Sequence, residues 1–211
     1  MKGVAGLDRA LLVAVNGFRP PFFDWLMPVV SDFGFFLPFM AVFIAWRLWK
    51  GDKWERLAWC GGVMAVIASD AMCARVLKPL VGRPRPYEVV DGIWFYKHSR
   101  FILTSPEVRS HIEDTLSWPS CHAMNMWSAA SFLFSYSHVR GVALAILAAL
   151  VCYSRVYLGM HYPVDVVGGA VTGILWGCAA AWLTRRTVPV LTGSPAMENT
   201  GDALPETETE R

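Results

Sequence analysis

Residues 142–183 read VALAILAALVCYSRVYLGMHYPVDVVGGAVTGILWGCAAAWL. Two apolar runs, Val142 to Leu158 and Val164 to Leu183, flank a short turn that carries a histidine and a proline, with an aspartate just inside the second run. Each run approaches the roughly 20 apolar residues that an α-helix needs to cross a bilayer. Three further runs extend the pattern: Phe33 to Trp49, Leu57 to Leu77 and Ala123 to Tyr136. The first and last of these fall short and need flanking residues, from Val29 and from Ser137 onward, to complete a crossing.

The composition agrees. Of 211 residues, 55% are hydrophobic and only 17% charged, and the mean hydropathy is +0.37, well above that of ordinary soluble proteins. The expected fold is an all-α integral membrane protein, a bundle of five or six transmembrane helices with its active site at the extracytoplasmic surface. The count is open because Leu7 to Val30 is apolar but interrupted by Arg19-Pro20-Pro21, which fits one kinked span or two interfacial helices. Residues 1–184 form the membrane domain, with 1–32 as its interfacial or first transmembrane segment. Residues 185–211, acidic and ending in Glu206, Glu208 and Glu210, have the composition of a disordered cytoplasmic tail.

A formal net charge of +2 with scattered Lys and Arg does not suit a nucleic-acid binder. The five cysteines, Cys60, Cys73, Cys121, Cys152 and Cys178, stand singly in apolar surroundings and read as small apolar residues rather than a zinc site or a disulfide framework. No small-residue cleavage site follows the N-terminal run, so a cleaved signal peptide is not expected.

Lys50, Lys53 and Arg56, then Arg140, then Arg185 and Arg186 occupy one set of turns, and short cytoplasmic loops are enriched in such residues. Alternation then puts Lys78, Pro119 and Ser154 to Asp165 together on the opposite, outer face of the plasma (inner) membrane. Three clusters meet there. Lys78 precedes Gly82-Arg83-Pro84-Arg85-Pro86, a cationic loop whose prolines forbid helix. Trp118-Pro119-Ser120-Cys121-His122 opens an apolar helix with Ser120 as its N-cap and free backbone amides able to cradle an anion. Ser154-Arg155 is followed by His161, Pro163 and Asp165. Pro163 suits the first helical position, and Asp165 in the first turn can reach back to orient His161.

In order and spacing these clusters resemble the type 2 phosphatidic acid phosphatase superfamily, whose pattern is K-x6-R-P, then P-S-G-H, then S-R-x5-H-x3-D. The resemblance covers roughly Asp70 to Leu183. It implies that His161 is a nucleophile forming a phosphohistidine, that Asp165 orients it, and that His122 is the general acid and base. It also implies that Lys78, Arg85, Ser120, Arg155 and the backbone amide of Cys121 hold phosphate oxygens, with Arg83 secondary because it falls in the variable part of the first motif. Cys121 departs from the usual Gly. No metal and no cofactor is expected, because Asp165 and the loop acids Glu88, Asp91, Glu113 and Asp114 show no joint ligand geometry.

Cations over apolar helices suit a lipid phosphate or diphosphate at membrane-surface depth, so the expected partners are such a lipid and the bilayer. The compact chain, with Leu7 to Phe18 before a Pro-interrupted segment, looks most like the bacterial undecaprenyl diphosphate phosphatases of that superfamily. Phosphatidylglycerophosphate, phosphatidate and lipid A phosphates are the alternatives; a vanadate-dependent haloperoxidase and a non-catalytic lipid-binding protein are remoter ones. Tyr87 to Ser117, with Trp94, Phe95, Tyr96, Lys97, Arg100 and Arg109, reads as a cover for the pocket or as a solvated connector. Asp70, inside an apolar run, reads as a structural partner of Arg75 or of a polar neighbour rather than as a site residue.

Overall fold

The computed structural model of the protein describes residues 2–111 and 115–192. The N-terminal stretch forms two separate helices, α1 (Lys2–Gly17) and α2 (Pro21–Ser31). Arg19 and the prolines separate them, Pro20 as the extended N-cap and Pro21 in the first turn of α2, where a missing N–H costs nothing.

Helix α3 (Phe33–Lys50) and helix α4 (Lys53–Met72) start at Asp32 and Asp52, whose carboxylates accept from the Phe35 and Glu55 amides at 3.3 and 2.8 Å. Each satisfies one of the donors left free at a helix start. Helix α4 runs on through a π-helical segment, Cys73–Leu77, into α5 (Lys78–Val81). Gly82 ends it in the left-handed region (φ 64°), a conformation that costs glycine little. Pro84 and Pro86 then keep the chain extended until the single turn α6 (Pro86–Val89).

Helices α8 (Cys121–Phe134), α9 (His138–Tyr157) and α10 (Pro163–Thr192) complete the bundle. Helix α8 is central, packed on α4, α9 and α10, while α1 lies against α9 and α10 and α2 against α9. The five apolar runs of the sequence fall on α3, on α4 with its extension, and on α8, α9 and α10. Phe33–Lys50, Lys53–Val81, His138–Tyr157 and Pro163–Thr187 are long and apolar enough to cross a membrane. With 14 residues, α8 spans about 21 Å at ~1.5 Å per residue and is the short member. Large apolar side chains such as Val42, Ile67, Ile146 and Leu175 face outward, as a lipid solvent requires. Helix α10 extends to Thr192, past the expected start of the polar tail; 193–211, with the three terminal glutamates, lie outside the described residues.

Glycine makes the α8–α10 contact possible. A Cβ at Gly169 would lie 2.5 Å from the Ser120 carbonyl, and one at Gly173 or Gly177 would collide with the Met124 or Ser128 carbonyl. A small residue every four positions lets two helix backbones meet, and it presses the start of α8 against the start of α10.

The segment expected as a cover or connector is folded. It holds a hairpin, β1 (Trp94–Lys97) with β2 (Arg100–Leu103), and the single turn α7 (Pro106–Arg109). Ile93 and Phe95 are buried in a cluster with Tyr87, Val156 and Tyr162, and the Tyr96 amide donates to the Leu158 carbonyl at 3.2 Å. The hairpin therefore braces the turn that carries His161. Asp70 accepts from Asn125 at 2.8 Å, a polar neighbour across the α4–α8 contact.

Candidate active site

The turn between α9 and α10 carries His161. Its amide and that of Met160 donate to the Arg155 carbonyl at 3.3 and 3.1 Å, so the turn folds back on the end of α9. The imidazole is buried. Burial, followed by the charges of Arg155, Arg85, Lys78 and then His122, holds its pKa well below the ordinary histidine value. A buried imidazole facing cations stays neutral, and a neutral ring has the free nitrogen lone pair that a nucleophile needs.

The cations come from two directions. Lys78 begins α5 and Arg85 follows the proline-restricted loop; both donate to the Leu116 carbonyl, Arg85 through Nε at 3.4 Å. Arg155 is buried in the last turn of α9, where Nη1 donates to Ser31 at 2.5 Å and Nε has no protein partner among the described residues. Ser120 caps α8 through the Ala123 amide at 3.5 Å, and its own amide donates to the Asp165 carbonyl at 3.0 Å. The structure thus brings together Lys78, Arg85, Ser120, His122, Arg155, His161 and Asp165.

The Asp165 carboxylate is buried and engaged on both oxygens. Oδ2 accepts from the Ser117 hydroxyl at 2.5 Å and from the Tyr162 amide at 2.9 Å, and Oδ1 accepts from Arg83 Nη1 at 2.7 Å. It stands 3.7 Å from His161 Nδ1, while Ser117 Oγ is 3.3 Å from that nitrogen. Sequence reasoning missed Ser117, which lies two residues before Pro119 with nothing local to single it out.

Arg83 sits differently from the expected secondary phosphate ligand. Its second terminal nitrogen donates to Asp8 on α1 at 2.7 Å, and the guanidinium covers the Tyr162 ring at 3.9 Å. Both ends of the fork are occupied by carboxylates. Asp8 itself was not singled out; an acid inside the apolar Leu7 to Phe18 run was the available signal.

The reading of the cysteines as five single apolar residues is corrected: Cys73 and Cys121 form a disulfide. Cys121, at the position where the resemblance has glycine, is bonded to a partner 48 residues away on the π-helical segment that leads into Lys78. Cys60, Cys152 and Cys178 are free. Among the described residues, no group of three or more His, Cys, Asp or Glu side chains is placed to hold a metal ion; Glu113 and Asp114 lie outside those residues.

The PAP2 superfamily model matches residues 58–189, which include every motif residue named above. The chain belongs to the PAP2 superfamily. This PAP2 chain is 28% identical to the lipid A 4'-phosphatase of Bacteroides thetaiotaomicron over 97% of its own length and 89% of that protein. It is 26% identical to phosphatidylglycerophosphatase B of Bacillus subtilis, over 82% of this chain and 80% of the relative. A putative undecaprenyl-diphosphatase of Escherichia coli is 39% identical over 31% of this chain and 33% of its own. Among solved structures, the Bacillus subtilis PAP2-type phosphatidylglycerolphosphate phosphatase shares the fold with a TM-score of 0.65 at 21% identity, covering 88% of each chain. Aquifex aeolicus LpxE does so with a TM-score of 0.60 at 21% identity, covering 82% of this chain and 94% of its own. The PAP2 chain is a membrane lipid phosphatase, a phosphoric monoester hydrolase.

Proposed function

We propose that this PAP2 phosphatase removes the terminal phosphate of a lipid phosphomonoester at the outer face of the plasma (inner) membrane, through a phosphohistidine on His161. The carrying observation is a buried imidazole whose Nδ1 is 3.3 Å from the Ser117 hydroxyl and 3.7 Å from Asp165, its pKa held low by burial and by the charges of Arg155, Arg85 and Lys78. With Ser117 at Nδ1, Nε2 is the nitrogen left for phosphorus. As the N–P bond forms and the bond to the lipid oxygen breaks, His122, carrying a proton taken up as the negative charge of the bound phosphate offsets Lys78, Arg85 and Arg155, gives that proton to the departing oxygen. His122 then takes a proton from water, whose oxygen bonds to phosphorus while the N–P bond breaks. Inorganic phosphate leaves and His161 is regenerated. The three cations, Ser120 and the Cys121 amide hold the non-bridging oxygens, the main protein contribution to phosphoryl transfer.

Two observations bear on the substrate. Relatives matched over 97% and 82% of this chain are named for lipid A and phosphatidylglycerophosphate, and one matched over 63% of it is named an undecaprenyl-diphosphatase. A diphosphate calls for cations at its second phosphate, and Arg83, the residue available in sequence for that role, is held between Asp8 and Asp165. That placement of Arg83 favours a monoester, with undecaprenyl diphosphate, the substrate favoured by the sequence, as the second reading. For orientation, the Cys73–Cys121 disulfide at the site end of the bundle suits an oxidising compartment, and Lys and Arg crowd the turns at the other end.

Phosphate release by purified protein from lipid A, phosphatidylglycerophosphate, phosphatidate and undecaprenyl diphosphate tests the reading. Turnover of a monoester, retained in chelator and lost in His161→Ala, is expected. Preference for the diphosphate over every monoester would overturn the substrate class. Activity surviving in His161→Ala would overturn the phosphohistidine.

A further inference from the structure

Helix α1 contributes a carboxylate to the far side of the catalytic turn. Asp8 lies outside the stretch matched by the family model and is buried, a costly place for a charge unless it is paired and hydrogen-bonded. Here it is both. Oδ2 accepts from Arg83 Nη2 at 2.7 Å, and Oδ1 accepts from the Val164 amide at 2.9 Å. Val164 follows Pro163 at the start of α10, so its N–H has no partner within the helix. Asp8 caps α10 from a residue 156 positions away.

Arg83 passes the link on. Its Nη1 donates to Asp165 Oδ1 at 2.7 Å, and its guanidinium covers Tyr162, the residue between His161 and Pro163. Asp165 therefore meets Arg83 on one oxygen and Ser117 on the other. We infer that Asp8 and Arg83 are positioning residues of the reaction: α1 holds Arg83 against Asp165, and this fixes the carboxylate and the first turn of α10 where Ser117 and His161 need them. Arg83 is kept off the phosphate by the same contacts.

The inference rests on His161 as the nucleophile. Groups that orient a reacting residue at one remove typically contribute about 10- to 100-fold when lost. Asp8→Asn keeps the shape and the cap acceptor while removing the charge, and Arg83→Gln removes the fork. Both variants, and the double variant, are assayed in purified protein for kcat, KM and inhibition by inorganic phosphate. Expected are falls in kcat of about 10- to 100-fold with KM and phosphate inhibition changed by less than about 3-fold. The double variant should be no worse than the weaker single one, because both break one link.

Arg83→Gln raising KM and weakening phosphate inhibition tenfold at unchanged kcat would make Arg83 a substrate ligand and overturn the inference. So would wild-type kinetics in Asp8→Asn. Should Arg83→Gln fail to fold, Arg83→Lys keeps a charge without the two-pronged geometry and must show the same loss in kcat. His161→Ala, measured alongside, reports separately on the nucleophile: activity there would remove the mechanism, whatever the Asp8 and Arg83 variants show.

Discussion

Asp165 stands 3.7 Å from His161 Nδ1 and meets it through the Ser117 hydroxyl, which donates to Asp165 at 2.5 Å and lies 3.3 Å from the ring nitrogen. A hydroxyl whose proton points to a carboxylate can only accept from the imidazole. Nδ1 then carries the hydrogen and Nε2 the lone pair.

Ser117→Ala should accordingly lower kcat about 10-fold or more, with KM little changed, because the tautomer is no longer held. Asp165→Asn should cost more, since it disturbs the Ser117, Tyr162 and Arg83 contacts together. Steady-state kinetics on both variants checks the order; Ser117→Ala at wild-type kcat would show that Asp165 acts on His161 without it.

The three motifs were legible because each is a local string with fixed spacing, and the helices because apolar runs of membrane length have few alternatives. Asp8, Arg83 and Asp165 were not legible as a unit: 75 residues separate the first pair and 82 the second, and although Asp8 stands out as an acid in an apolar run and Asp165 by its motif, nothing local points from either to Arg83. Cys73 and Cys121 were misread for the same reason, since no paired spacing points across 48 residues. The hairpin was missed because its turn places His98 and Ser99 at φ 50° and 59°, where asparagine and glycine are the usual signals. Arg83 was visible, but only as a charge, and its direction depends on a helix that the motifs do not include.

The depressed pKa of His161, caused first by burial and then by Arg155, Arg85 and Lys78, sets a pH dependence. Because the folded value lies below the ordinary one, the ring stays neutral as pH falls through about 6.5. The stability it contributes is full above that pH and declines as the solution approaches the lower folded value. Phosphoenzyme formation should keep its rate below pH 6.5 where an ordinary histidine would lose it. Arg85→Gln should move this acid limb upward, whereas the substrate's own ionisation stays put. Rapid-quench measurement of the phosphoenzyme across pH checks both; an acid limb at or above 6.5 that Arg85→Gln leaves in place would contradict the reading.

The Cys73–Cys121 bond closes a loop of 48 residues between the segment leading into Lys78 and the residue preceding His122. Chain-entropy arguments put the stabilisation from a loop of this length near 4 kcal/mol as an upper figure. Cys73→Ser with Cys121→Ser should lower the thermal midpoint in detergent, with a loss of about 2–4 kcal/mol. Cys121→Gly, which restores the family residue but strands Cys73, should be destabilised in the same way. Thermal unfolding with and without reductant checks this: reductant should lower the wild-type midpoint and leave the double serine variant unmoved.

Gly169 joins the fold to the chemistry. A Cβ there would lie 2.5 Å from the Ser120 carbonyl and 3.0 Å from Ala123 Cβ, so Gly169→Ala must push the start of α8 away from α10. Ser120 is the residue displaced, and with it the Cys121 amide and the hydrogen bond from the Ser120 amide to the Asp165 carbonyl at 3.0 Å. Backbone cannot yield as a side-chain tip can, and a misplacement of this order can change catalysis by about 10²-fold. Because the proposed mechanism gives the groups that move to the phosphate oxygens rather than to attack on phosphorus, the expected signature is a raised KM and weakened inhibition by inorganic phosphate, together with a reduced kcat. Gly6→Ala, on an open surface of α1 with nothing within 4 Å, is the matched control and should leave all three unchanged. Equal behaviour of the two variants would mean that the glycine seam serves helix packing alone and does not set the geometry of the phosphate cradle.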